Sequence, residues 1–512
     1  MTDSTQAPPI RLPQGRHFAV TWGIPDDFGG MTSAFLHRSR AFVRLGGVAV
    51  EIVTFDTRPD YPAFSDELRR RGELLDDMSI VNIWDWLREW DLPADAPGTL
   101  NLDKHPLVPL EPDAAYRSTF REGHELTRTR YASDGSSVLQ VDHYRLDGTL
   151  LLSDRRDLRE PGTVSGRSLV LCDRDGRPVR SWGATWSLYR YWLDRLRGGA
   201  WSYLIVDSKT IANFMLTYRR KKAVTLHVVH SSHLAGDVRP IGPLRATRRT
   251  VFENLGDFDA VVVLTKRQRK DVIELLGPQA NLVVVPNSRD LALSADAPLE
   301  RPVGRGVVLA SLTTRKRVDH AITAAADAIA SGAPITLDVF GEGETRPQLE
   351  ALITERGVAG SVTLHGHRTD ARAGLADASF LVLSASSEGS PLVLVEAMAA
   401  GCIPISYDIP YGPADLISHG RNGLLVPAGD IGALAEAIRT LQAMPDHAVD
   451  RMRRRARRTA QRYSDLSVTR RWAREMARAA KRKAGPDAVP AGVKAVLRAG
   501  RTAIRRAVTP GR

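Results

Sequence analysis

Two cysteines, Cys172 and Cys402, are the only thiols in 512 residues. That scarcity excludes a disulfide framework and a cysteine-based zinc site, and leaves both as small core residues. Long apolar runs are lacking too. Runs such as 260–264 and 282–285 are strand-sized, far short of the roughly 20 residues that span a bilayer. Residues 1–9 are polar and contain proline, without the charged-then-apolar order of a signal peptide. A cytoplasmic location is expected on these grounds. No P-loop, zincin or nucleophile-elbow pattern occurs, so those three routes to catalysis are set aside.

Acidic residues are scarce in one region only. Residues 451–512 hold 20 Lys/Arg against 3 Asp/Glu, a net of +17 in a chain whose total is +12, so the remainder carries −5. The basic character belongs to this segment. It reads either as a solvated helix with a loose tail or as an attractor of polyanions: nucleic acid, an anionic membrane face or a phosphate-rich polymer. No nucleic-acid-binding module accompanies the charge, so nucleic acid is not the expected partner.

The length calls for two or three domains. The start reads as α/β. A strand at 17–22, a loop closed by Gly29-Gly30, a helix over 31–45 and a strand at 48–55 imply a parallel pair. The character changes near residue 100. Alternating segments at 118–127, 137–144, 150–154, 168–171 and 179–182, two of them turned by Asp147-Gly148 and Asp175-Gly176, predict an antiparallel β insertion. The α/β pattern resumes with strands at 203–206, 223–229, 259–264 and 281–285, then a linker at 288–304. A second α/β lobe follows, with strands at 306–310, 335–340, 362–365, 380–384, 403–407 and 423–426. An Arg-rich helix is expected over about 447–483, then breakers and a short amphipathic stretch in 485–512. The expected domains are a Rossmann-like N-terminal lobe at 1–99 and 190–298, the β-rich insertion at 100–189, a second lobe at 299–460, and a basic helix and tail at 461–512.

The most informative stretch is 384–401, S-A-S-S-E-G-S-P-L-V-L-V-E-A-M-A-A-G. A strand ends at Ser384 and a loop follows. Ser390 is suited to cap a helix, Pro391 to its first turn and Gly401 to its end. Such a junction presents free N–H groups and the positive end of a helix dipole, an anion site fit for a diphosphate. Leu392 and Glu396 lie one turn apart and share a face. A carboxylate there can accept hydrogen bonds from ribose hydroxyls, and Glu388 in the preceding loop can meet a sugar. Either glutamate alone reads more often as a surface residue; the whole arrangement is the specific signal.

This segment resembles the E-x7-E signature of retaining family-four glycosyltransferases. Val339-Phe340-Gly341-Glu342-Gly343 looks like the strand-then-glycine turn of that family's nucleotide lobe, and Val362-Thr363-Leu364-His365-Gly366 like its next strand. Tyr407-Asp408-Ile409-Pro410-Tyr411-Gly412-Pro413 with Asn422-Gly423 resembles the poly(glycerol-phosphate) α-glucosyltransferases of teichoic acid synthesis, a subgroup that also carries a β-rich insertion. The resemblance covers most of about 17–475.

It implies the GT-B fold: α/β, two Rossmann-like lobes facing a cleft, with an antiparallel β insertion in the N-terminal, acceptor-side lobe. It implies retaining transfer of a hexose, glucose or N-acetylglucosamine, from a UDP-sugar bound by the C-terminal lobe, with no metal or other cofactor. Residue by residue, Glu388 corresponds to the glutamate at the donor hexose, Glu396 to the one at the ribose, and Lys316 to the lysine at the diphosphate. Gly389, Ser390, Pro391, Leu392 and Val393 form the donor-binding junction, with Gly341 and Gly366 in the nucleotide lobe. Gly29 and Gly30 match the N-terminal glycine pair, where a missing side chain lets backbone approach phosphates. His230 and His233 lie where the family has a histidine near the sugar; His230 is preferred because it directly follows a strand. Where the family has arginine, five residues before the lysine, this chain has Ser311, and Arg315 is the nearby cation.

The acceptor expected from the resemblance is a glycerol-phosphate, teichoic-acid-like cell-envelope polymer, held in part by the basic segment. Alternatives are a protein serine or threonine, a lipid-linked glycan, or a lapsed enzyme that only binds anionic polymer. Peripheral contact with an anionic membrane face and homo-oligomerisation through the insertion belong to the same set of expectations.

Three further signals point elsewhere. Asp173-Arg174-Asp175 has the form of a metal-binding D-x-D, but Asp-Gly turn chemistry explains it. Gly341-x-Gly343 lacks a third glycine, since Arg346 occupies that place, which argues against a dinucleotide fingerprint. Trp84, Trp86 and Trp90 share a helix spacing and read as core or domain contact before sugar platform.

Overall fold

The computed structural model describes residues 10–90, 99–156, 166–235, 242–291, 301, 304–368 and 370–484. The expectations for 1–9, most of the linker and the 485–512 tail lie outside them. Two compact units divide the described chain.

One unit is built from residues 15–28 and 49–223. It contains β1 (Arg16–Val20), β2 (Val50–Thr54), β3 (Met78–Asn82) and β10 (Ser202–Val206), paired in parallel in the order β10-β1-β2-β3. β10 is buried at every position, as a parallel strand covered on both faces should be. Phe55 sits behind this sheet among Tyr189, Trp192 and Phe214, with ring centroids 4.8, 5.2 and 6.1 Å away.

The same unit carries a six-stranded antiparallel meander: β4 (Arg117–Arg121), β5 (His124–Tyr131), β6 (Val138–Tyr144), β7 (Leu150–Arg155), β8 (Ser168–Cys172) and β9 (Pro178–Trp182), each paired with its sequence neighbour. The segment read as one strand at 118–127 is two strands. Glu122 and Gly123 both have positive φ, 50° and 84°, which closes a tight hairpin there. Asp147-Gly148 and Asp175-Gly176 turn two other hairpins, with Gly148 at φ 85° and Gly176 at φ 76°.

The meander is fastened to the helix Ile83–Glu89. Trp84 stacks on His143 at 3.7 Å, Arg88 Nε donates to the Tyr144 carbonyl at 2.9 Å, and Arg145 Nη1 donates to the Arg88 carbonyl at 2.7 Å. Trp84 is thus a buried packing residue, while Trp86 lies 4.6 Å from Trp90.

The other unit, from residues 29–48 and 224 onward among others, contains β11 (Ala223–Val229), β12 (Ala260–Val263) and β13 (Leu282–Val284) in parallel. It also holds a six-stranded parallel sheet: β14 (Arg305–Leu309), β15 (Thr336–Phe340), β16 (Val362–Gly366), β17 (Phe380–Leu383), β18 (Ile403–Asp408) and β19 (Leu424–Pro427). The order β16-β15-β14-β17-β18-β19 is that of a doubly wound nucleotide-binding sheet. Helix Val318–Ala330 packs on Ile431–Ala443, and Leu392–Ala400 on Asp446–Ala460.

The Arg-rich helix expected over 447–483 is two helices, Asp446–Ala460 and Asp465–Ala484, divided at Gln461–Tyr463. Ser464 is extended (φ −63°, ψ 154°). Its hydroxyl accepts from the Ser467 amide at 3.4 Å, a side-chain cap on the second helix. That second helix packs on Gly30–Gly46, with Phe42 edge-on to Trp472 at 6.1 Å.

Candidate active site

Strand order alone locates a crevice. Neighbours β14 and β17 are followed by connections that leave the sheet in opposite directions, and ligands of such sheets bind outside the carboxyl ends of the strands at that point. The two loops there are 310–317, after β14, and 384–391, after β17.

They are tied together by backbone and side chain. Ser386 N donates to the Arg315 carbonyl at 2.9 Å, and Ser384 Oγ donates to the Arg317 carbonyl at 2.7 Å. Arg317 takes φ 46°, a left-handed conformation uncommon outside glycine, and so turns the chain from Lys316 directly into helix Val318–Ala330.

This turn brings Lys316 to Glu388. Lys316 Nζ donates to Glu388 Oε1 at 2.5 Å. Arg315 Nη1 reaches the same oxygen at 3.3 Å and the Ser387 carbonyl at 2.8 Å. The Lys316 and Glu388 side chains are 19% and 13% exposed against 49% for Arg315, so lysine and glutamate form the sheltered pair and Arg315 its solvent-side companion.

The backbone of Glu388 is clamped by the 407–413 segment. Its amide donates to the Pro410 carbonyl at 2.9 Å, and its carbonyl accepts from the Tyr411 amide at 2.7 Å. Next to it, Gly389 has no room for a side chain: a Cβ would stand 1.8 Å from the His230 carbonyl oxygen. Gly412, at φ 114°, would meet the Pro391 ring at 2.2 Å. These close approaches place His230, Gly389, Pro391 and the Gly412 turn around Glu388.

Helix Leu392–Ala400 begins one residue later than expected. Pro391 is its extended N-cap (ψ 97°) and no side chain caps it, Ser390 included. The N–H groups of Leu392 and Val393, the first two of this helix, have no intrahelical acceptor by helix geometry. Gly401 ends it in the left-handed conformation, φ 74°. Glu396, in the middle of the helix, accepts from Arg289 Nε at 2.6 Å, with Arg372 Nε 3.3 Å from its other oxygen. Sequence reasoning missed both arginines: Arg289 is 107 residues from Glu396, and nothing local marks it.

The two histidines separate clearly. His230 is half-buried at the end of β11. His233 is fully buried, stacked 5.2 Å from Phe252 and 6.0 Å from Tyr411. Burial, reinforced by the nearby Arg248 charge, pushes its imidazole down to about 4. Its ring has no exposure to solvent.

Gly341 and Gly366 both stand where a side chain is disfavoured. Gly341 would meet the Ala310 carbonyl at 1.8 Å, and Gly366 takes φ 74°. Beside them runs a groove of about 350 Å³ lined by Asp338, Phe340, His365, Arg368 and Asp370, in which Phe340 stacks on His365 at 4.6 Å. Gly29 and Gly30 stand at the start of helix Gly30–Gly46, with nothing within 4 Å of a Cβ at either. Among the described residues no hydrogen bond joins them to Lys316 or Glu388. Asp173 accepts the amides of Asp175 and Arg177 at 3.0 and 2.8 Å, a turn-forming role. Among the described residues no cluster of three His, Cys, Asp or Glu is placed to hold a metal, and no helix is long and apolar enough to cross a membrane.

Comparison with known proteins bears on this geometry. Residues 306–462 match the family model "Glycosyl transferases group 1". The chain is 40% identical over 195 residues to an exopolysaccharide phosphotransferase of Streptomyces coelicolor, covering 38% of this chain and only 20% of that protein. It is 22% identical to the poly(ribitol-phosphate) alpha-N-acetylglucosaminyltransferase of Staphylococcus aureus, over 87% of this chain and 96% of the relative. It is 21% identical to the poly(glycerol-phosphate) alpha-glucosyltransferase of Bacillus subtilis, over 90% and 75%. A structure of a variant of S. aureus TarM in complex with fondaparinux, alpha-GlcNAc-glycerol and UDP superposes with a TM-score of 0.64 at 19% identity, over 90% of this chain and all of that one.

Proposed function

We propose, from the premise that the chain is a glycosyltransferase with the GT-B fold, that it transfers glucose or N-acetylglucosamine, with retention, from a UDP-sugar to a polymer of the glycerol- or ribitol-phosphate kind. The observation that carries this reading is the sheltered Lys316–Glu388 pair, with Lys316 Nζ 2.5 Å from Glu388 Oε1, beside the start of helix Leu392–Ala400. In the transfer, the bond from the sugar C1 to the diphosphate oxygen breaks, a bond to an acceptor hydroxyl oxygen forms, and the proton of that hydroxyl leaves with the departing diphosphate. Negative charge grows on the departing diphosphate. Lys316, Arg315 and the positive end of the helix offset that charge. Glu388, held by its backbone clamp, is free to exchange part of its cation contact for a hydroxyl of the donor hexose. Uridine diphosphate is supported by its presence in the TarM complex.

The acceptor class is supported by the polymers named for the two long relatives and by charge. Arg451, Arg454, Arg455, Arg458 and Arg462 are exposed at helical spacing, a stripe that matches a chain of phosphates. Among the described residues of 446–484 no large apolar side chain is exposed, which favours a soluble polyanion over an interfacial lipid contact. A cytoplasmic site of action, where UDP-sugars are made, belongs to the same reading.

The test is release of UDP from UDP-glucose and from UDP-N-acetylglucosamine, with and without poly(glycerol-phosphate) and poly(ribitol-phosphate). The native protein and Glu388→Ala are compared. Polymer-stimulated release that vanishes in the variant supports the reading and identifies the donor. Polymer binding without release from either donor sinks it.

A further inference from the structure

Glu396 is a sheltered carboxylate whose anchor comes from outside its own fold element. Arg289 Nε donates to Oε1 at 2.6 Å, and both side chains are only 13% exposed. Arg372 approaches Oε2 at 3.3 Å but is 67% exposed, so it holds the carboxylate loosely. The orienting contact is therefore Arg289.

The Arg289 main chain is itself gripped on both sides. Its amide donates to the Tyr463 carbonyl at 3.0 Å, and its carbonyl accepts from the Asp465 amide at 3.2 Å. Asp465 in turn meets His37 Nε2 at 2.7 Å. His37 lies on the helix Gly30–Gly46, the one that begins with the glycine pair. A short ladder thus runs from that helix through Asp465 and Arg289 to Glu396.

We propose that Arg289 is a positioning residue for the donor ribose: it fixes the Glu396 carboxylate so that its remaining acceptor sites face the two ribose hydroxyls. The inference rests on reading Glu396 as the ribose acceptor. A carboxylate offers about four lone-pair sites, and the contacts from Arg289 and Arg372 occupy two of them. Two remain, matching the 2′ and 3′ hydroxyls. The guanidinium can hold this geometry because it is planar and its chain is clipped at the backbone; an ammonium on a flexible stem holds it less well.

The experiment is calorimetric titration of the full chain with UDP and with 2′,3′-dideoxy-UDP. Native protein, Arg289→Ala, Arg289→Lys and Glu396→Gln are compared, alongside steady-state kinetics. The native protein prefers UDP. In Arg289→Ala, UDP binds about ten-fold more weakly, the scale of one lost charged hydrogen bond. Dideoxy-UDP is little changed, so the preference narrows. KM for the UDP-sugar rises while kcat stays within about three-fold, and Arg289→Lys lies between. The inference is overturned if Arg289→Ala binds UDP as well as or better than native, or loses both ligands equally, which is the mark of a general structural role. A native protein that does not distinguish the two ligands, or a Glu396→Gln variant that still does, refutes the ribose reading of Glu396 instead. If Arg289→Ala loses its cooperative unfolding transition, the ratio measured in Arg289→Lys decides by the same criterion.

Discussion

Glu388 Oε1 is shared by two cations, Lys316 Nζ at 2.5 Å and Arg315 Nη1 at 3.3 Å, and the two are not equivalent. Lys316 is sheltered and Arg315 half-exposed, so charge at Lys316 is less screened. Lys316→Ala is expected to lower kcat/KM for the UDP-sugar by about 10²–10³-fold, the cost of one preorganised group at a developing charge. Arg315→Ala is expected to cost only about five-fold, as for an exposed pair. Steady-state UDP release measures both. Equal losses, or an effect of Lys316→Ala confined to KM, count against Lys316 as the leaving-group cation.

The glycines of the site divide into two kinds, and substitution separates them. A Cβ on Gly389 falls 1.8 Å from the His230 carbonyl, a backbone atom that cannot swing away. Gly389→Ala should therefore destabilise the protein by about 1–3 kcal/mol, as overpacking does, and misplace Glu388. Gly30, the first residue of its helix, has open space around it. Gly30→Ala should leave the thermal midpoint unchanged or raise it slightly, yet weaken UDP-sugar turnover if that space is for the diphosphate. Thermal unfolding and UDP release on the same two samples test the contrast. Loss of stability in Gly30→Ala would show that this glycine is structural.

What could be read in advance was what is local. Strand-loop-helix punctuation around Glu388 and Glu396 lies within 384–401, and the apolar parallel strands, buried on both faces, announce themselves as short continuous runs. The hairpin at Glu122-Gly123 is not legible in the sequence because glutamate before glycine lacks the Asn/Asp-Gly signal that marks the other turns. The break at Gln461–Tyr463 was hidden by helical arginine spacing that runs straight through it, although Ser464-Asp465 is a sound start for a helix. The clamp of Pro410 and Tyr411 on Glu388, the His230 carbonyl against Gly389, and Arg289 on Glu396 all join distant segments. No periodicity or propensity reports such contacts.

The arginine stripe on the helix Asp446–Ala460 gives a prediction for the acceptor alone. Replacing Arg451, Arg454, Arg455 and Arg458 by glutamine removes four exposed charges without touching the Lys316–Glu388 pair. KM for the phosphate polymer should rise about ten-fold or more at low salt, and the difference from native should shrink as salt screens it. Basal UDP release without polymer should be unchanged. A polymer KM insensitive to both the substitutions and salt would mean the acceptor binds elsewhere.

His233 supplies a pH dependence with a definite sign. It is fully buried, and neither ring nitrogen has a hydrogen-bond partner among the described residues. Burial, with the Arg248 charge adding to it, depresses its imidazole to about 4 in the folded protein, against about 6.5 when unfolded. Between those values the unfolded chain binds a proton that the folded one refuses, so stability falls as pH drops through that window. The term is nearly absent at pH 7 and amounts to roughly 2 kcal/mol by pH 5. His143, stacked on Trp84 and pushed by burial to about 3, adds a term of the same sign. His233→Phe keeps a flat ring between Phe252 and Tyr411, forfeits no hydrogen bond among the described residues, and removes the proton-binding site. Its loss of unfolding free energy between pH 7 and pH 5, measured in urea, should be about 2 kcal/mol smaller than that of the native protein. Tyr411, the residue that stacks on His233, donates its amide to the Glu388 carbonyl, so a protonated His233 would disturb the same loop that holds Glu388. If native and His233→Phe proteins lose stability in parallel as pH falls, His233 titrates normally and the sealed environment assigned to it is wrong.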